Sequence, residues 1–106
     1  MFDVKPVAGL TNTYTVVNEL SGKCLDVSAV STADGAAVQQ WTCTGGTNQE
    51  FTLSPVATGS HDYQLVAVHS GKCIDVSTAR AQIHQWTCDP ASALTTKQNQ
   101  IWTLLN

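Results

Sequence analysis

The ten residues "SGKCLDVSAV" that begin at Ser21 return as "SGKCIDVSTA" at Ser70, forty-nine positions later. Each copy sets an aspartate two residues after a cysteine: Asp26 after Cys24, Asp75 after Cys73. A cysteine can recur as a staple, but a carboxylate is poor core material and needs another reason to recur. Acid–base work on a single bond takes two carboxylates flanking it, and here each copy brings one of its own. As an acceptor, an ionised carboxylate makes short, charge-assisted hydrogen bonds whose geometry selects among donors. It can also cap a turn through neighbouring backbone.

The repetition is wider than those ten residues. "FDVKPVAGLTNTY" from Phe2 aligns without a gap on "FTLSPVATGSHDY" from Phe51, matching Pro6 to Pro55, Val7 to Val56 and Tyr14 to Tyr63. Downstream, "QQWTC" and "HQWTC" follow the two aspartates, and "NQEF" and "NQIW" close the copies. The connecting lengths drift while these landmarks persist, as expected where loops change and positions that hold something do not. One repeat spans approximately 11–53 and a second approximately 60–105, while 1–10 reads as the trailing strand of a preceding repeat.

A chain of 106 residues, 42% hydrophobic and 12% charged, is one globular domain of low charge. Its net charge of −3, with Lys5, Lys23, Lys72, Arg80 and Lys97 scattered, offers no basic patch for nucleic acid or anionic membrane. No apolar run approaches the roughly 20 residues of a membrane span. "MFDVKPV" lacks the basic start and apolar stretch of a secretion signal, so any signal or preceding domain is expected to lie outside this sequence.

The four cysteines fall as Cys24 and Cys43 in one copy, Cys73 and Cys88 in the other. Pairing within each copy is the parsimonious arrangement, although three pairings are formally available. Zinc is the weaker reading, because no Cys-x-x-Cys occurs and His61, His69 and His84 lack ligand spacing. Each disulfide loop is worth about 3 kcal/mol in the chain-entropy account. Disulfides imply an oxidising, secreted setting.

Short runs rich in β-branched and aromatic residues alternate with turn-formers. "TYTVVN", "CLDVS", "VQQWTC" and "EFTLSP" are matched by "YQLVAV", "CIDVS", "IHQWTC" and "IWTLL". Four strands per repeat, "FDV" as one more, and at most a single helical turn near Ala91 to Thr95 predict an all-β domain.

A strand carrying Cys-x-Asp-Val, then Gln-x-Trp-x-Cys, then Asn-Gln-x-aromatic resembles the ricin-B-type lectins and the related carbohydrate-binding modules found beside secreted glycoside hydrolases. The resemblance covers nearly the whole chain, twice. It implies a β-trefoil of four-stranded lobes, of which this chain has two complete and one extra N-terminal strand. Closure then calls for association into a homo-oligomer, dimer or trimer, or for a neighbouring part of a longer parent chain.

It also implies a shallow site for neutral sugars in each lobe. A carboxylate accepts from hydroxyls, an aromatic plate takes the C–H face, and an amide completes the pattern. The family pattern transfers to Asp26, Gln39, Trp41 and Asn48, with Gln49 as ligand or orienter, and to Asp75, Trp86, Asn99 and Gln100. His84 stands where the first repeat has Gln39, which makes the first site the fuller one. His84 also makes the second site a candidate for pH response, because a protonated imidazole would compete for Asp75.

Gln49 and Gln100 are as well suited to tying backbone as to touching sugar. Phe51 and Trp102, with Phe2, are expected in the core, leaving Trp41 and Trp86 as plates. His61 and His69 lie near turns and read as solvated. The resemblance implies a galactoside, or a xylan- or arabinan-type polymer, with the Asp and Trp pairing leaning to galactosides. No cofactor, metal or catalytic residue is expected, since no nucleophile elbow, zinc helix or phosphate loop is present. A trefoil-like interaction or inhibitor domain that keeps the motifs only for folding is the alternative.

Overall fold

The computed structural model describes residues 2–56, 61–76, 82–90 and 99–103. These form nine strands: β1 (Phe2–Pro6), β2 (Thr13–Asn18), β3 (Cys24–Val27), β4 (Val38–Trp41), β5 (Phe51–Pro55), β6 (Asp62–Ala67), β7 (Cys73–Val76), β8 (Ile83–Trp86) and β9 (Trp102–Thr103). Single 3-10 turns at Ser28–Val30 and Thr47–Gln49 interrupt them. The strands lie within a residue or two of the β-rich runs read from the sequence. The helical turn expected near 91–95 lies outside the described residues, as does the end of "IWTLL".

All pairings are antiparallel, in the order β4-β3-β2-β5-β6-β7-β8, with β1 beside β2 and β9 beside β6. The pairings β1-β2-β5-β6-β9 run continuously, and the hairpins β3–β4 and β7–β8 join them through β2 and β6. The all-β, trefoil-type architecture expected from the repeats is therefore present. Alternation along β5 and β6 puts Phe51 and Leu53 opposite Ala67 and Leu65, and these four are buried with Val16, Val27 and Ile74. Both disulfides join cysteines of one repeat, Cys24 to Cys43 and Cys73 to Cys88, with Cα separations of 5.1 and 4.9 Å.

Two expectations need correction. Phe2 is 45% exposed, whereas Phe51, its counterpart, is fully buried. Phe51 is flanked by β2 and β6, but Phe2 pairs with β2 alone among the described residues. His69 is not simply solvated: it is half-buried, with Nε2 at 2.7 Å from the Ser31 carbonyl. His61 is exposed as expected.

The contact at Ser31 belongs to a joint between the repeats, in which the 31–37 loop of the first lies on β8 of the second. Gly35 N–H donates to the Gln85 carbonyl and Gln85 N–H to the Ala36 carbonyl, at 2.8 and 2.9 Å. The Gln85 side chain, fully buried, donates to the carbonyls of Ser31 and Ala33.

Candidate functional site

Pairing of β3 with β4 sets Asp26 opposite Gln39 and Cys24 opposite Trp41. Side chains alternate along a strand, so Gln39 and Trp41 emerge on one face and Gln40 on the other. The 3-10 turn Thr47–Gln49 then brings two amides to the carboxylate. Gln39 Nε2 donates to Asp26 Oδ1 at 3.1 Å, while Asn48 Nδ2 and Gln49 Nε2 donate to Oδ2 at 3.2 and 2.8 Å. Asp26 is thus 4% exposed yet held by three neutral donors, which is what a buried carboxylate requires. A carboxylate offers about four lone-pair positions. Three are taken, so one position on Oδ1 is left for an outside donor.

Gln49 ties backbone as well as the carboxylate. It is 1% exposed, donates also to the Thr42 carbonyl at 2.9 Å, and accepts from Thr44 N–H at 2.8 Å. Asn48 is anchored a second time, to the Val27 carbonyl at 3.1 Å. Both amides orient the carboxylate, but only Asn48 lines the adjoining pocket.

That pocket, ≈ 440 Å³, is bounded by Asp26, Gln39, Trp41 and Asn48 together with Ser28, Ala29, Val30 and Thr44. Trp41 is 56% exposed, so its indole is a wall of the pocket and not core. The second wall, Ser28–Val30, was missed in the sequence. Ala29 and Val30 there have φ of 57° and 53°, a conformation costly for a side chain branched at Cβ. No residue type announces it; the only signal was position, directly after "CLDV".

The second repeat reproduces the arrangement. Asp75 lies opposite His84, and Cys73 opposite Trp86. His84 Nε2 is 2.8 Å from Asp75 Oδ1, in the place of Gln39, and Asn99 and Gln100 donate to Oδ2 at 3.0 and 2.9 Å. Gln100, fully buried, also donates to the Thr87 carbonyl and accepts from Asp89 N–H, as Gln49 does in the first repeat. Trp86 is 45% exposed and its ring lies 5.6 Å from that of His84, tilted by 33°. Residues 77–81, which correspond to the Ser28–Val30 wall, lie outside the described residues.

Asp26 and Asp75 are therefore each engaged by the side chains of their own repeat. No group of three or more His, Cys, Asp or Glu side chains suited to a metal ion occurs among the described residues. The arrangement can accept a hydrogen bond, offer an indole face and present amides.

Comparison with known proteins gives the same outline. The profile of the ricin-type β-trefoil lectin domain-like family matches residues 2–86. The designed threefold-symmetric protein ThreeFoil is 35% identical, with a TM-score of 0.82 over 99% of this chain and 71% of its own. An exo-β-1,3-galactanase from Clostridium thermocellum is 30% identical, with a TM-score of 0.79 over 98% of this chain and 21% of its own. The Polyporus squamosus lectin, bound to the epitope Neu5Acα2-6Galβ1-4GlcNAc, shares the fold at 23% identity and a TM-score of 0.80, over 96% of this chain and 34% of its own. The chain thus spans about a third of the one natural protein and about a fifth of the other.

Proposed function

This chain belongs to the ricin-type β-trefoil lectin domain-like family, and on that footing we propose that it is a carbohydrate-binding domain with one shallow site per repeat. The observation that carries the reading is the union, in one pocket, of a buried carboxylate with an acceptor position to spare and a largely exposed indole. Neither is economical as packing. A carboxylate costs free energy to bury and an exposed tryptophan wastes apolar surface, so their pairing, repeated once in the chain, points to a ligand with hydroxyls beside an apolar face.

A neutral sugar is such a ligand. One hydroxyl donates to Asp26 Oδ1, the C–H face lies on Trp41, and Gln39 and Asn48 complete the hydroxyl pattern, with Gln49 orienting the carboxylate. Asp75, His84, Trp86 and Asn99 act likewise in the second site, oriented by Gln100. Galactosides are favoured over xylan- or arabinan-type polymers, in keeping with the galactanase among the similar structures. The share of that enzyme covered supports a role beside a catalytic domain, with the binding domain itself non-catalytic and secreted. Two weak sites on one polymer raise each other's effective concentration, which is where useful avidity arises.

A glycan array followed by titration with the best galactoside tests the reading. Trp41→Ala should weaken the first site by about 1–2 kcal/mol, by analogy with other aromatic contacts, with the disulfides and circular dichroism unchanged. If Trp41→Ala unfolds the chain while Asp26→Ala leaves sugar binding intact, the indole is core and the site is misassigned.

A further inference from the structure

We propose that Gln85 and His69, both in the second repeat, are positioning residues for the pocket of the first: they clamp the Ser31 carbonyl and so hold the left-handed turn that forms the pocket's second wall. The inference rests on reading that pocket as a sugar site. Neither residue lines it.

The wall is an unfavourable piece of backbone. Ala29 and Val30 take φ of 57° and 53° in succession, and such a conformation persists only where its surroundings over-determine it. Packing of their own side chains does not supply this, since both are exposed. Hydrogen bonds on either side of the turn do.

At the entrance the bonds come from the first repeat itself. Asn48 Nδ2 donates to the Val27 carbonyl at 3.1 Å, and Ser28 N–H to the Ala37 carbonyl at 2.9 Å. At the exit Ser31 returns to extended backbone, with φ −67° and ψ 142°, and its carbonyl is held from the second repeat. It accepts from Gln85 Nε2 at 2.7 Å and lies 2.7 Å from His69 Nε2. A carbonyl only accepts and has two lone pairs, so both are used and Nε2 is the protonated nitrogen of the imidazole. The clamp is braced in turn: Ser70 Oγ donates to Gln85 Oε1 at 2.9 Å, and the Gln85 amide also donates to the Ala33 carbonyl at 2.9 Å.

Two features set the clamp apart from ordinary packing. His69 Nδ1 is buried with no hydrogen-bond partner among the described residues, a cost that an apolar side chain would avoid. The aligned residue of the first repeat is such a side chain, Leu20, almost wholly exposed. Imidazole at position 69 is therefore no landmark of the repeat. It stands where a strained turn needs a second donor.

Release of the clamp lowers the fraction of molecules whose wall is in place, and apparent affinity falls with that fraction. Losing one of the two donors is worth about fivefold.

NMR of the intact chain tests this, with methyl β-galactoside, xylobiose and arabinobiose as probes. The Trp41 and Trp86 indole N–H signals report the two sites separately, and the backbone couplings that give the sign of φ at Ala29 and Val30 report the wall without sugar. Gln85 is fully buried and its loss threatens the fold, so His69→Leu is the variant of choice. It should lose the positive-φ signature in a large share of molecules and bind at Trp41 about fivefold more weakly, while Trp86 titrates as in the unaltered chain. His69→Gln, whose amide can donate to the same carbonyl, should restore both. A wall unchanged in His69→Leu overturns the proposal whatever the sugar does. An equal loss at both indoles, the mark of a merely structural role, overturns it as well, and so does failure of His69→Gln to rescue. If neither indole of the unaltered chain responds to any probe, the sugar reading fails and the inference falls with it, and the couplings still tell that failure from a wall that never depended on the clamp.

Discussion

Gln49 uses one nitrogen to hold Asp26 at 2.8 Å and the Thr42 carbonyl at 2.9 Å, which ties the carboxylate of β3 to the segment that follows β4. Gln100 repeats the relationship with Asp75 and Thr87 at 2.9 and 3.0 Å. Truncation to Gln49→Ala leaves a buried carboxylate short of a donor, and also orphans Thr44 N–H. Each such loss costs about 1–3 kcal/mol. Chemical denaturation should therefore show a loss of at least about 2 kcal/mol for Gln49→Ala, against a change within about 0.5 kcal/mol for the exposed Gln40→Ala. Equal effects would show that Gln49 is not a structural tie.

Gly46 is required by the site and not by its own backbone. Its φ is −73°, open to any residue, yet a Cβ there would lie 2.8 Å from Asn48 Oδ1. Asn48 is pinned by its bonds to Asp26 and the Val27 carbonyl, so it yields only by giving one up. Gly46→Ala should lower first-site sugar affinity by roughly the worth of one hydrogen bond, about 1 kcal/mol, with a smaller effect on the thermal midpoint. Calorimetric titration with a galactoside reads it. An unchanged affinity would place Asn48 outside the binding set.

The left-handed backbone at Val30 stores strain beside the pocket. Val30→Gly removes it, and the relief of about 1–3 kcal/mol for such a conformation exceeds the roughly 1 kcal/mol that glycine costs through the unfolded chain. The variant should melt at the same temperature or higher while binding sugar less well, because the 55%-exposed isopropyl group that walls the pocket is gone. A variant that is both less stable and undiminished in binding would contradict the account.

Asp34 makes the joint between repeats sensitive to acid. Partial desolvation pushes its carboxyl upward, but the Thr87 hydroxyl and N–H and the Lys72 ammonium outweigh that and hold it below the usual carboxylate range. A group whose folded value is depressed contributes stability above its unfolded value and loses it as pH falls through the folded one. Thermal midpoints should therefore drop from about pH 5 downward more steeply for the native chain than for Asp34→Asn. Parallel curves would show that the contact is too solvent-screened to matter.

How much of this was legible beforehand differs from residue to residue. The strands and the within-repeat disulfides follow from local pattern, while the gathering of Asp26 with Gln39 and Asn48, and of Asp75 with His84 and Asn99, is implied by the family resemblance that the repeated motifs carry. Strand alternation and short turns act over a few residues, and a repeat states its landmarks twice. Phe2 and Phe51 are the same residue type in aligned positions, as are Gln40 and Gln85, yet one of each pair is covered and the other open. Cover comes from a neighbouring strand or loop far away in the chain, so identical local sequence meets different surroundings. The same reason separates Asn48 from Gln49. Adjacent amides of equal chemistry reach the same carboxylate oxygen, and only the closure of Thr47–Gln49 under the hairpin turns one toward the pocket and the other toward backbone. The repeated motifs of the sequence indicated which side chains within one repeat meet; tertiary packing decided the contacts between repeats and which residues face the solvent, because burial is a property of what lies on the far side of a residue.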